Sequence, residues 1–232
     1  MFDRQCAPKA LKRFALREEG TTLVEFALCI SLFLVILFAV LDFGRLGYNW
    51  VVAEKAMQRA VRVASVRPPI CANVPQFHRR ADPTDGTFSS GTLCRSQPGL
   101  CLQTTRQCLL SAPDAGSAQS IAAAAGIWAQ IEPLMPSNAT NANVLIRYEY
   151  DANLGFLGGP FVPLITAELG TDSNGDNNFT SADADFTFTF ITPLSALAAQ
   201  STGTTNDIPS SIPFPDISVS LPAEDLNIGT GG

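Results

Sequence analysis

Glu25 stands in "TTLVEFALC", a carboxylate just inside a run of apolar residues. From Leu23 to Leu41 the chain reads "LVEFALCISLFLVILFAVL", nineteen residues with Glu25 as the only ionisable carboxylate. As a helix rising ~1.5 Å per residue, this stretch roughly spans a ~30 Å hydrocarbon core. An acid at the centre of such a span costs about 2.5 to 3.5 kcal/mol, and less near its end, so an acid retained there commonly has a partner or a task. The chemistry it offers is charge pairing, because opposite charges in low dielectric attract strongly once both are desolvated. The plainer alternative is that Glu25 reaches the headgroup layer and complements the helix N-terminus.

A second group of oxygens lies in "DSNGDNNFTSAD", Asp172 to Asp183. Side-chain oxygens at loop positions one, three, five, nine and twelve suit a hard cation. The stretch resembles dockerin and EF-hand calcium loops, with Asp172, Asn174, Asp176, Asn178 (through its carbonyl), Thr180 and Asp183 in the ligand positions. Asn177 replaces the usual glycine at position six, and asparagine tolerates the left-handed backbone required there. The resemblance implies a structural calcium ion and no organic cofactor; a solvated Asn/Asp turn is the alternative.

A third group is sulfur. Cys71, Cys94, Cys101 and Cys108 form an even set on one side of the apolar run, which suggests an oxidising compartment and two disulfides with three possible connectivities. A zinc site using these thiols and His78 competes with that reading, but no Cys-x-x-Cys pair is present. His78 is the single histidine, and no nucleophile motif, phosphate loop or metalloprotease helix surrounds it, so no enzymatic activity is expected.

Charge narrows the partners further. All fifteen Lys and Arg lie at or before Arg147, while eleven of the twenty-one Asp and Glu follow it. A purely acidic C-terminal third argues against nucleic acid, which needs clustered cations. Arg4, Lys9, Lys12, Arg13 and Arg17 precede the apolar run, and only Arg45, Lys55 and Arg59 fall within the first twenty residues after it. The positive-inside rule then puts the N-terminus in the cytoplasm and the cysteines outside.

The order of residues around the run resembles the type IV prepilin superfamily, whose leader peptidase cuts after a glycine and whose mature chain has Glu at position five and an aromatic at six. Gly20, Thr21, Glu25 and Phe26 match that pattern. The stretch "VLDFGRLGYNWVVAEKAMQRAVRVAS" further resembles TadE-like pseudopilins of the tight-adherence pilus machinery, through Asp42, Phe43, Gly44 and Arg45. Many relatives have a proline in the apolar run where this chain reads "CISLF". The resemblance covers Arg17 to Val66. It implies cleavage between Gly20 and Thr21, and pairing of Glu25 with a neighbouring subunit's new ammonium. The partners it implies are prepilin peptidase, other pilins or pseudopilins, inner-membrane assembly proteins and the lipid bilayer.

These groups must be positioned by a small set of elements, and the fold class expected is α+β. Residues 1–20 read as a basic leader and 21–67 as a membrane and stalk helix, running from Thr22 to Val66 until "RPP" stops it. Its upper half, with Ala53, Ala56, Ala60 and Val63 on one stripe, is expected to pack on the head. Asp42 and Arg45, three apart, can pair on one helix face. Residues 68–200 form an extracytoplasmic head. Within it, Pro68 to Pro113 reads as an irregular Cys-rich excursion, and a helix is expected from Ser117 to Glu132 with Ile121, Ala124, Ala125, Trp128 and Ile131 inward. Two strands with period-two patterns follow in an antiparallel sheet: Val144, Ile146, Tyr148 and Tyr150 share one face, as do Phe186, Phe188 and Phe190. Residues 201–232, with one strand-like piece from Asp216 to Leu221, read as a flexible tail.

The function expected is that of a membrane-anchored minor pilin or pseudopilin in a tight-adherence type IV pilus or related secretion machine. It would be single-pass in a bacterial inner membrane, with a periplasmic head. The alternative is a membrane-tethered extracytoplasmic binding protein with a calcium-stabilised head.

Overall fold

The computed structural model describes residues 18–84, 86–179, 183, 185–193, 209–224 and 226. The leader up to residue 17, and Thr180 of the calcium loop, lie outside these. The fold is α+β: a long N-terminal apolar helix and a small head with one further α-helix and antiparallel sheets. Two compact units divide the chain, Met1–Leu46 with Thr189–Ile212, and Gly47–Phe188 with Pro213–Gly232.

Helix α1 runs unbroken for 47 residues, Glu18–Ala64. It starts four residues before the expected Thr22, so the backbone at Gly20, where the resemblance implies cleavage, is helical. Glutamates at 18 and 19 are good helix formers, and one glycine costs only about 1 kcal/mol, too little to stop cooperative elongation. Within "CISLF" the Ser31 hydroxyl donates to the Leu28 carbonyl at 2.9 Å, which satisfies it inside an apolar run. Past Ala64 the Ser65 N–H closes on the Val61 carbonyl at 2.9 Å, and Arg67-Pro68-Pro69 prevents another turn.

In the second unit the end of α1 buries Ala53, Ala56, Met57, Ala60, Val61 and Ala64, while Lys55, Arg59 and Arg62 are exposed. The expected stripe is therefore correct but broader, with Val63 only half-buried.

The main sheet has the order β1 (Thr105–Leu109), β2 (Val144–Glu149), β3 (Leu164–Leu169), β6 (Ile217–Pro222), all pairs antiparallel. Val144, Ile146 and Tyr148 are buried as their alternation predicts. Leu145 is buried too, because the strand is covered on both faces at that end. The Tyr148 hydroxyl accepts the Ile70 N–H at 3.2 Å, and burial holds this phenol above its ordinary range, so it is uncharged. On the neighbouring registers Arg147 pairs with Glu168 at 3.3 Å.

Strands β4 (Thr187–Thr189) and β5 (Ser211–Pro213) form a separate two-stranded sheet. Phe186 and Phe188 are buried, whereas Phe190 is half-buried.

Three expectations need correction. Helix α2 (Ala118–Ile131) is capped by the Ser117 hydroxyl, which accepts the Ser120 N–H at 3.2 Å, but it buries Ser120, Ala123, Ala124, Ile127 and Ile131. Ile121 and Ala125 are exposed and Trp128 is half-buried. Several stripes in this alanine-rich helix satisfy the 3.6 period, and packing selected the one centred on Ile127. The Cys-rich excursion is not wholly irregular, because β1 lies within it, Cys108 facing Ile146 across the ladder. The tail is not wholly flexible either: the strand-like piece expected from Asp216 to Leu221 is β6, the edge strand beside β3. Its alternating half-exposed and exposed residues reflect one covered face, a weak signal in sequence.

The disulfides are Cys71–Cys108 and Cys94–Cys101, with sequence separations of 37 and 7. Loop-closure entropy makes the first worth ~4 kcal/mol and the second ~2.5 kcal/mol. The double substitution Cys71→Ser/Cys108→Ser should therefore lower the denaturant midpoint of the head more than Cys94→Ser/Cys101→Ser. Denaturant titration monitored by circular dichroism checks the order.

Candidate functional site

The first unit begins with the bare part of α1. Glu25 and Phe26 are exposed, and so are Leu23, Val24, Leu28, Leu32, Phe33 and Ile36. A backbone hydrogen-bonded within its own helix and an apolar surface are the two properties a bilayer demands. By length and composition α1 can cross a membrane and fits an anchoring role.

At the outer end of the apolar run the surroundings change abruptly. Asp42 is 1% exposed, and its carboxylate accepts the Ile191 N–H at 3.3 Å and the Thr192 hydroxyl. The Phe43 ring meets that of Phe190 edge to face at 6.0 Å. The Arg45 guanidinium donates to the Thr189 carbonyl. Three of the four residues in "DFGR" thus grip one short segment, 189–192, about 150 positions away. A buried carboxylate requires donors, so a partner for Asp42 was inferable; its identity was not, because nothing local in sequence marks residues 189–192. Gly44 behaves differently, since a Cβ there would meet no atom within 4 Å.

The expected calcium loop folds on itself. Asp172 accepts the N–H groups of Gly175 (2.7 Å), Asp176 (3.2 Å) and Asn177 (2.9 Å). Asn174 accepts from Asp176 N–H at 2.8 Å, and Asp176 from Asn178 N–H at 2.9 Å. Asp183 returns to the start of the loop, accepting from the Ser173 N–H at 3.1 Å and its hydroxyl at 2.8 Å. Asn177 has φ +59°, the left-handed backbone anticipated for position six. A cavity of about 160 Å³ beside the loop is walled in part by Glu168, Asp183, Asp185 and Asp216. Among the described residues the loop's carboxylates do not converge on one point; the group whose ligand atoms all lie within 4.8 Å is His78, Cys94 and Cys101. The oxygen set suits a hard cation, but several of its oxygens are engaged by the loop's own donors.

Removing the Asp42 carboxylate takes away hydrogen bonds assisted by charge, worth about 1.5 kcal/mol or more. Asp42→Ala should accelerate amide exchange at Ile191 by roughly tenfold or more, while α2 amides are unaffected. Hydrogen exchange read by mass spectrometry on the full chain in detergent measures both.

Comparison with known proteins bears on the same helix. Residues 20–62 match the family model described as TadE-like protein, and this stretch includes Gly20, Glu25, Phe26 and the whole "DFGR" motif. No curated protein and no solved structure matches the chain. The TadE-like family is associated with the tight-adherence pilus and is not known for enzymatic activity. The helix that exposes Glu25 and buries Asp42 is therefore a TadE-like segment, consistent with a TadE-like pilin of the tight-adherence system.

Proposed function

We propose that the chain is a minor pilin or pseudopilin that contributes to assembly of a tight-adherence type IV pilus or a related secretion machine. The observation that carries this reading is the TadE-like match along a helix whose Glu25 is exposed among apolar side chains. In lipid such a carboxylate needs a cation. Cleavage by a prepilin peptidase between Gly20 and Thr21 would create one, the Thr21 ammonium, and would make Glu25 the fifth residue. The ammonium of one subunit then meets Glu25 of its neighbour, and apolar packing, to which Phe26 contributes, aligns the two helices.

Three further features support the reading. The open space at Gly44 means that the chain's own fold does not require a small residue there, whereas close approach of another helix does. Paired Cys71–Cys108 and Cys94–Cys101 favour an oxidising compartment for the head, hence a single-pass protein of the bacterial inner membrane with its N-terminus in the cytoplasm and its head in the periplasm. Exposed Tyr48 and Trp50, just beyond the apolar run, are the aromatic residues expected at the outer headgroup layer.

We further infer that Asp172–Asp183 holds a structural calcium ion. The return of Asp183 to Ser173 and the left-handed Asn177 favour a closed loop, and binding would exchange carboxylate bonds to the loop's N–H groups for bonds to the ion.

Mass spectrometry of the membrane form should find an N-terminus at Thr21; a chain that retains Met1 in cells containing the peptidase sinks the processed-pilin reading. Glu25→Ala should reduce co-purification with pilus components at least about tenfold, the effect of losing ~1.4 kcal/mol, and leave membrane insertion unchanged. For the loop, saturating calcium should raise the melting temperature relative to chelator, and Asp172→Ala should abolish the difference. An identical Tm with and without calcium counts against the ion.

A further inference from the structure

His78 and the Cys94–Cys101 disulfide form a cluster that neither the assembly helix nor the calcium loop uses. A ring nitrogen of His78 and the two sulfurs lie within 4.8 Å of one another. All three residues are buried: His78 is 2% exposed, Cys94 1% and Cys101 0%. The imidazole Nε2 accepts the Val162 N–H at 3.3 Å, while Nδ1 is buried with no hydrogen-bond partner. An unsatisfied buried polar atom costs about 1 to 3 kcal/mol, and packing against Phe161 and Tyr150 does not satisfy it.

The surroundings hold this arrangement in place. The backbone N–H of His78 donates to the Gly159 carbonyl and its backbone carbonyl accepts the Gly158 N–H, both at 2.9 Å. The Cys94 N–H donates to the Gly155 carbonyl at 3.3 Å, which ties the cysteine loop to the backbone against which the ring rests. Gly155 has φ +94°, and a Cβ there would lie 2.3 Å from Nε2. The chain therefore seats the imidazole beside the sulfurs at a position where only glycine fits.

We propose that the reduced form of this cluster is a metal site, in which the thiolates of Cys94 and Cys101 and the imidazole of His78 bind one divalent ion of the zinc class, and that oxidation to the disulfide excludes the ion. The steps balance. A dithiol reductant gives two electrons and two protons to the disulfide and becomes a disulfide itself. The ion then displaces one proton from each thiol, and the imidazole stays neutral with its single proton on the nitrogen that does not bind the metal. Zinc–sulfur bonds of ~2.3 Å and a zinc–nitrogen bond of ~2.0 Å in tetrahedral geometry set the ligand atoms about 3.6 to 3.8 Å apart. Once reduced, the two sulfurs must separate from the ~2 Å of a disulfide bond to ~3.8 Å, and the ring nitrogen must approach them by about 1 Å; the loop between the cysteines contains Gly99, φ +77°, to absorb the change. The 3.3 Å bond from Val162 is long, so reorienting the ring gives up little. Three protein ligands leave the fourth position open to a small molecule.

The experiment uses the full chain in detergent, treated with a phosphine reductant and titrated with cobalt(II) as the spectroscopic stand-in for zinc. The expected result is one cobalt per chain, with thiolate charge-transfer and tetrahedral ligand-field absorption that appear only after reduction and are displaced by zinc. The signal should persist in Cys71→Ser/Cys108→Ser, disappear in Cys94→Ser/Cys101→Ser, and weaken in His78→Gln by more than the ~10- to 100-fold typical of an outer-shell change. Because a variant can fail to fold, iodoacetamide alkylation of the unsubstituted reduced chain gives a second readout. Zinc should protect Cys94 and Cys101 and leave Cys71 and Cys108 reactive. The proposal is overturned by a cobalt signal that survives His78→Gln or needs Cys71 and Cys108, by the absence of signal and protection in the reduced chain, or by loss of its circular dichroism on reduction.

Discussion

A helix whose surface from Leu23 to Leu41 is apolar but for Glu25 and Ser31 must be removed from water, and the rest of this structure depends on that constraint. Its backbone is satisfied internally, so lipid can surround it without stranding polar groups. Ser31 complies by bonding to its own helix, and Glu25 does not. A carboxylate that complies in no local way is the feature that makes the helix a candidate for assembly and more than an anchor.

Asp42 meets the same electrostatic problem by the opposite route. It is buried by protein, and the Ile191 N–H and Thr192 hydroxyl satisfy it within the chain. With Phe43 on Phe190 and Arg45 on the Thr189 carbonyl, a sequence motif that looked like a helical ion pair acts as a grip on a distant segment. Two acids seventeen residues apart on one helix therefore have different meanings. One is completed by the fold, and the other stands exposed among apolar side chains.

The head shows where local patterns suffice and where they fail. Alternation along Val144 to Tyr148 specified a strand and its inward face, because a period of two is unambiguous when β-branched and aromatic residues carry it. In α2 the many alanines blurred the burial face, and Trp128 misled because its size suggests the core while packing placed Ile127 there. Strands β1 and β6 draw their stability from neighbours, β1 from β2 and the Cys71–Cys108 bond, β6 from β3. The residues of β1 state little of this, whereas β6 matches the strand-like piece read from Asp216 to Leu221 inside a segment rich in proline and glycine.

The sequence by itself determined the α+β class, the apolar helix, the acid at its start, the even set of cysteines and the left-handed demand at Asn177. Each follows from composition, period or backbone sterics acting over a few residues. Only the tertiary structure decided which cysteines pair, that Asp42 closes on residues 191 and 192, and that His78 lies beside Cys94 and Cys101. Those are meetings between segments far apart in the chain. They are chosen by the joint packing of several elements, and no short stretch of sequence contains that information.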